Sequence, residues 1–228
     1  MQRSSESLST SALTNTRTSE QKQTAMQQRF SKNQEQKLSN WRRRLNTQKK
    51  SEVLFEHWLF MHTAAVLFAG KPGELLILKR GLFGLLPEET LESIDSFCSS
   101  LALQFNVLLE NEHSIKVIFY NEVAVDRRIG CIPKKILHCN LRYPFGLRSE
   151  SFLKELGRRW LESGTTPHEI GIVLGYPLKD VWGFMGISSD PCSGSCGWRI
   201  YGNPLPSLKK RTLYNHARTR AETYLRAA

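Results

Sequence analysis

The sequence predicts an α+β fold: a single domain in which a small mixed or antiparallel sheet is packed by helices, preceded by a disordered tail. Three observations carry this. The two most β-rich runs, 105–110 and 114–120, follow one another directly instead of alternating with helices as a doubly wound sheet requires. Two long segments, opening at Pro87 and at Glu150, carry apolar residues at helical spacing. Residues 1–50 are dominated by Ser, Thr, Gln, Asn, Lys and Arg, with no apolar periodicity before Leu38, Trp41 and Leu45, so they bury too little surface to offset their chain entropy.

Taken in order, residues 1–50 read as a basic extension, with a short basic helix over 34–48 that carries Arg42, Arg43 and Arg44. The window 53–70, VLFEHWLFMHTAAVLFAG, is the most apolar in the chain. It is just long enough to raise the question of a membrane span, but Glu56, His57 and His62 inside it make insertion costly. It divides into a helix over 52–61 and a buried strand over 64–69, followed by a turn at Gly70-Lys71-Pro72-Gly73. Residues 74–78 continue as an apolar strand or short helix. Pro87, Glu88 and Glu89 open a helix, the proline fitting its first turn and the acids its positive end. Leu91, Ile94, Phe97, Cys98 and Leu101 form its apolar face, and it ends near Gln104. The runs 105–110 and 114–120 make a hairpin across Asn111-Glu112-His113. Further helices are expected over 133–139 and 150–162, the second with Phe152, Leu153, Leu156, Trp160 and Leu161 on one side. A short strand over 198–201 and a basic helix over 208–225 complete the chain.

Charge bounds the function classes. The 228 residues include 32 Lys and Arg against 21 Asp and Glu, a net +11. Residues 1–50 hold 11 basic and 3 acidic side chains, residues 51–198 hold 14 and 17, and residues 199–228 hold 7 and 1. The basicity belongs to the two ends, and the slightly acidic domain between them need not bind nucleic acid. Five cysteines without a secretory apolar segment argue for a cytoplasmic protein rather than a disulfide framework.

The most informative stretch is 165–184, TTPHEIGIVLGYPLKDVWGF. Thr166 and Glu169 have the spacing of a capping box, and Pro167 falls at the first helical position, where its missing N–H costs nothing. Gly175 stands where a helix-ending glycine belongs, and Pro177 can start the next helix. Two short helices joined by a tight turn follow.

Three blocks together resemble the bacterial domain-of-unknown-function family 3793, best known from clostridia and their relatives. They are His62 with Gly70-Lys71-Pro72 and Leu75; Pro167-His168-Glu169-Ile170-Gly171 through Gly175-Tyr176-Pro177 to Asp180-Val181 and Gly183-Phe184; and Cys192 and Cys196 before Gly197-Trp198-Arg199-Ile200-Tyr201-Gly202. In their order they span residues 57 to about 225. Residues 1–50 lie outside the family pattern, and Ala217 stands where the family has a further cysteine. The resemblance implies a soluble cytoplasmic bacterial protein and no established activity.

The candidate chemistry is sparse. His168-Glu169 invites comparison with the zinc-protease pattern, but position 172 is Ile, so the second histidine ligand is missing. A His-Glu pair at a helix start remains a candidate for acid/base work, against the plainer reading that Glu169 caps the helix and His168 packs or meets solvent. Cys192 and Cys196, in a Gly/Ser-rich loop, are the candidate ligands of a metal such as zinc or iron, with Cys131, His138 and Cys139 available to complete a set of four. The plainer reading is a loop in which the thiols are merely tolerated. His62 and Lys71 are candidate cofactor-binding residues, although no Walker spacing, GxGxxG or Gly-x-Ser-x-Gly exists in the chain. The 165–185 pair also has the outline of a DNA-binding helix-turn-helix, yet its second helix offers only Lys179 and Asp180 to base edges. Nucleic acid is therefore not the favoured partner. The favoured expectation is a binding or accessory protein of unknown function, metal- or redox-related, rather than an enzyme. Its functional surface is expected where the His168 helix, the Cys192 to Cys196 loop and His62 converge.

Overall fold

The computed structural model describes residues 32–227. The expected extension over 1–50 therefore lies outside the described residues as far as residue 31. The chain divides into two units after Thr47. In the first, residues 32–45 form helix α1, where the basic helix was expected.

The second unit is the α+β domain, and its sheet is antiparallel. Strands β1 (Gly73–Lys79), β2 (Gln104–Glu110) and β3 (Ser114–Tyr120) lie in the order β1-β3-β2. Asn111 closes the predicted hairpin, its Oδ1 accepting from the backbone N–H groups of His113 and Ser114. Leu109 of β2 pairs with Lys116 one step after Val107 pairs with Val117, so Leu108 is the extra residue of a bulge. The central strand has both faces covered. Phe119 meets Phe97 of helix α4 (Pro87–Leu101) edge to face, whereas Ile118 and Tyr120 join the cluster of Phe152, Leu153 and Leu156 from helix α6 (Ser149–Ser163). Val117, Ile118 and Phe119 are fully buried in consequence.

Helix α2 (Lys50–His62) confirms the first half of the apolar window, but the strand expected over 64–69 is helix α3 (Ala64–Ala69). Thr63 does not break the helical path. Its N–H and Oγ1 both bond to the Leu59 carbonyl, and its own carbonyl accepts from Val66 and Leu67. Six apolar residues carry too little periodicity to separate strand from helix. Ala65 then clusters with Tyr214 and Ala217 of helix α9 (Leu205–Arg226). Gly70, at φ +61°, ends α3 and turns the chain into β1.

Three further departures are local. Helix α4 stops at Leu101 rather than near Gln104, because Ala102 adopts φ +54° and the Leu103 N–H returns to the Cys98 carbonyl. Leu91 and Leu161, assigned to apolar faces, are exposed, and Thr90 and Ser93 take buried places on α4. Helix α5 (Glu122–Gly130) was not anticipated, and the segment around 133–139 contains a π-helical turn, Ile136–Asn140. At the other end, Cys192–Ser195 is a strand, β4, paired antiparallel with β5 (Arg199–Tyr201), where a loop was expected.

Candidate functional site

The stretch 165–184 folds into helix α7 (Ile170–Val173), a tight turn, and helix α8 (Leu178–Phe184). Gly175 makes the turn. Its φ is +74°, and a Cβ there would stand 2.6 Å from Pro72 Cδ and 2.7 Å from the Tyr214 hydroxyl. That hydroxyl donates to the Gly175 carbonyl at 3.1 Å, which pins α9 to the turn. The expected Thr166–Glu169 capping box does not form. Glu169 is buried and its Oε1 accepts from Arg159 at 3.0 Å and from the Tyr143 hydroxyl at 3.2 Å. Arg159 also lies over the Tyr143 ring, 4.0 Å from its centroid. Burial, then the charge of Glu169, pushes the Tyr143 phenol far above its ordinary value. Glu169 is thus committed to an internal ion pair. His168 is exposed and meets the Phe184 ring edge to face, centroids 4.7 Å apart.

The anchor of the site is Asp180, which the sequence offers as a base contact and as part of the second resemblance block. Its carboxylate is 2% exposed and accepts four hydrogen bonds: from Lys179 Nζ at 2.5 Å, Ser207 Oγ at 2.5 Å, Trp198 Nε1 at 2.8 Å and the Tyr201 N–H at 2.9 Å. One side chain therefore ties α8 to β5 and to the start of α9. Burial alone would raise this carboxyl, but the bonds from Lys179, Ser207, Tyr201 and Trp198 outweigh it and hold the group below the ordinary carboxylate value. Lys179, bonded to Asp180 and to the Tyr201 carbonyl, is not available to a DNA groove. Gly183 lets Tyr201 lie on the backbone of α8: a Cβ there would fall 2.2 Å from Tyr201 Cγ.

These contacts frame a cleft of about 460 Å³ whose walls include Pro167, His168, Ile170, Val181, Phe184 and Trp198. Arg199 stands at the same cleft, its guanidinium 5.7 Å from the Phe184 ring centroid and without a carboxylate partner among the described residues. Trp198 stacks on Tyr176, centroids 4.6 Å apart and planes 17° apart. The stacked pair also lines a second cleft of about 250 Å³, which holds His62, Lys71, Glu74, Arg211 and Arg218. His168 and His62 therefore belong to neighbouring clefts that share the Tyr176–Trp198 wall, rather than to one convergent site. His62, against the Trp58 ring, is held below its ordinary value by burial and by Arg218. Lys71 pairs with Glu74 at 2.7 Å.

The two candidate thiols stand at the ends of a strand rather than in a loop. Cys192 opens β4 and Cys196 follows its end, so an extended strand holds their backbones up to about 13 Å apart at ~3.3 Å per residue. Burial pushes the Cys196 thiol up, away from the thiolate. All five cysteines are free, and among the described residues no three His, Cys, Asp or Glu side chains gather as a metal site needs. Asp180, Tyr176, Trp198, Arg199, Phe184, Arg211 and Arg218 are the site residues the sequence reading did not single out for this surface. Tyr176, Asp180, Phe184, Trp198 and Arg199 do fall within the blocks of the family resemblance, and Asp180 is also a lone carboxylate inside an apolar helix.

No helix of the described residues is long and apolar enough to cross a membrane. No curated protein and no solved structure matches the chain. The family described as "Protein of unknown function (DUF3793)" matches residues 59–228, which takes in both clefts and every residue of the Asp180 network. With three quarters of its length matched, the chain belongs to that family.

Proposed function

We propose that the protein is a cytoplasmic binding or accessory protein whose apolar cleft beside His168 takes a small molecule with a flat apolar body and one acidic group. The observation that carries this reading is the cleft itself. It is in the size range of small-molecule sites and is walled by Pro167, Ile170, Val181, Phe184 and Trp198, with a single uncommitted cation, Arg199, at its side. Apolar walls supply affinity, and the guanidinium supplies orientation by a charge-assisted bond. Binding is favoured over catalysis because the nearby acids are already committed: Asp180 to four donors, and Glu169 to Arg159 and Tyr143. His168 has a ring contact and, among the described residues, no carboxylate to orient it. Five unpaired thiols favour a reducing compartment.

The test is a titration with 8-anilinonaphthalene-1-sulfonate, an aromatic anion of this shape. Wild-type protein is expected to show one saturable site. Thr166→Trp, which places an indole into the cleft from its exposed rim, should abolish it, and Arg199→Ala should weaken it about 10-fold. Equal binding by wild type and Thr166→Trp overturns the reading.

A further inference from the structure

We propose that the second cleft, on the other side of the Tyr176–Trp198 pair, is a binding site for a diphosphate-bearing small molecule. Three segments bring cationic or polar groups to it: His62 from the end of α2, Lys71 from the turn before β1, and Arg211, Asn215 and Arg218 from α9; Trp198, whose N–H is held by Asp180, contributes a ring wall. Positions 211, 215 and 218 are spaced four and three residues apart and so share one face of α9. Arg211 and Arg218 are separated by seven residues, about 10 Å of helix rise. That spacing suits two linked anionic groups better than one.

The charges in the cleft do not balance from within. Its one acid, Glu74, is paired with Lys71 at 2.7 Å. Arg211 has no hydrogen bond or ion pair among the described residues, and its guanidinium is held against the backbone at Gly197, 3.1 Å from where a Cβ would stand. Arg218 has only Glu222, one turn along the same helix at 3.8 Å and largely exposed. Two forked cations with unused donors, facing a cavity walled by Trp198 and Tyr214, are the arrangement that binds phosphate oxygens bidentately. The volume, about 250 Å³, is below that of drug-sized sites and fits a compact polyanion. The same phosphates occur in a nucleic-acid backbone, but a cleft of about 250 Å³ suits a compact free ligand better than an extended strand.

Arg211 and Arg218 do not line the apolar cleft, so this inference stands or falls apart from the reading above. The experiment is isothermal titration calorimetry of the full chain with sodium pyrophosphate at fixed ionic strength, beside a short single-stranded oligonucleotide as the second arm. Saturable pyrophosphate binding is expected, weakened about 10-fold or more in both Arg211→Ala and Arg218→Ala. Both side chains are exposed on α9, and unchanged thermal unfolding of each variant will show that the fold is intact. Absence of saturable binding, binding unchanged in both variants, or binding of the oligonucleotide alone overturns the proposal.

Discussion

Replacing Asp180 by alanine tests the anchor on which the clefts depend. The substitution leaves four donors without their acceptor. Lys179 is 27% exposed at its side chain and Trp198 is half-buried, so both can recover water. Ser207 is fully buried, and the Tyr201 N–H points at Asp180 from the β5 backbone, so these two lose their partner without replacement. An unsatisfied buried donor costs about 1–3 kcal/mol, so the two together cost about 2–6 kcal/mol, while the partly exposed Lys179 adds little. The expected loss is therefore about 2–6 kcal/mol, a large part of the roughly 5–15 kcal/mol of a typical domain. With a urea dependence of about 2 kcal/mol per molar, the unfolding midpoint should fall by about 1–3 M. Far-UV circular dichroism and tryptophan fluorescence will follow the transition. Adding Ser207→Ala to Asp180→Ala should cost less than the sum of the two single changes, because they remove one shared bond. A loss below about 1 kcal/mol for Asp180→Ala would refute the reasoning, since losses of that size belong to unremarkable surface sites.

Other outcomes follow from the same geometry. Gly183→Ala drives a methyl into the Tyr201 ring and should cost about 1–3 kcal/mol, read by the same urea titration; a change within about 0.5 kcal/mol would show that β5 moves aside freely. Glu169→Ala should cost about 1–3 kcal/mol, limited because Arg159 keeps Glu155 at 2.8 Å and the Leu141 carbonyl. His168→Ala should stay within about 0.5 kcal/mol, so the two adjacent residues separate into a structural and a cleft-facing role. The Asp180 carboxyl is held below its unfolded value of 3.8. Its contribution is complete above that value and is lost as the pH falls through the lower folded-state value. Urea titrations at falling pH should show wild type losing more stability than Asp180→Asn in that interval, and parallel losses would contradict the assignment.

The readable parts of the fold were those whose signals are local. The hairpin was legible because Asn111 sits at its turn between two β-rich runs, and α4 because a proline and two acids open it. The α7–α8 turn was legible because Gly175 and Pro177 have few other uses at that spacing. Helix α3 was not, because AAVLFA has no polar residue to reveal a period, and Thr63, which bonds back to Leu59 as the cap of α2, also starts the next helix. Helix α5 shows only Val125 and Ile129 as buried residues, too short a stripe to stand out. The site was the least legible part. Asp180 finds Trp198, Tyr201 and Ser207 at separations of 18, 21 and 27 residues, distances no local pattern encodes. Thr166 and Glu169 had the local spacing of a cap, and a long-range ion pair to Arg159 won instead because the carboxylate is buried. His62 and Lys71 line one cleft, and the arginines beside them lie some 140 residues later on a helix that composition marks only as basic.

The central claim is that the surface beside His168 is a small-molecule site held open by the Asp180 network. It is tested most directly by locating a bound aromatic anion through nuclear Overhauser contacts in solution. The account predicts contacts from the ligand ring to the Val181 methyl groups and to the Phe184 and Trp198 ring protons, lost in Thr166→Trp. Saturable binding with contacts only to residues outside that cleft would contradict it.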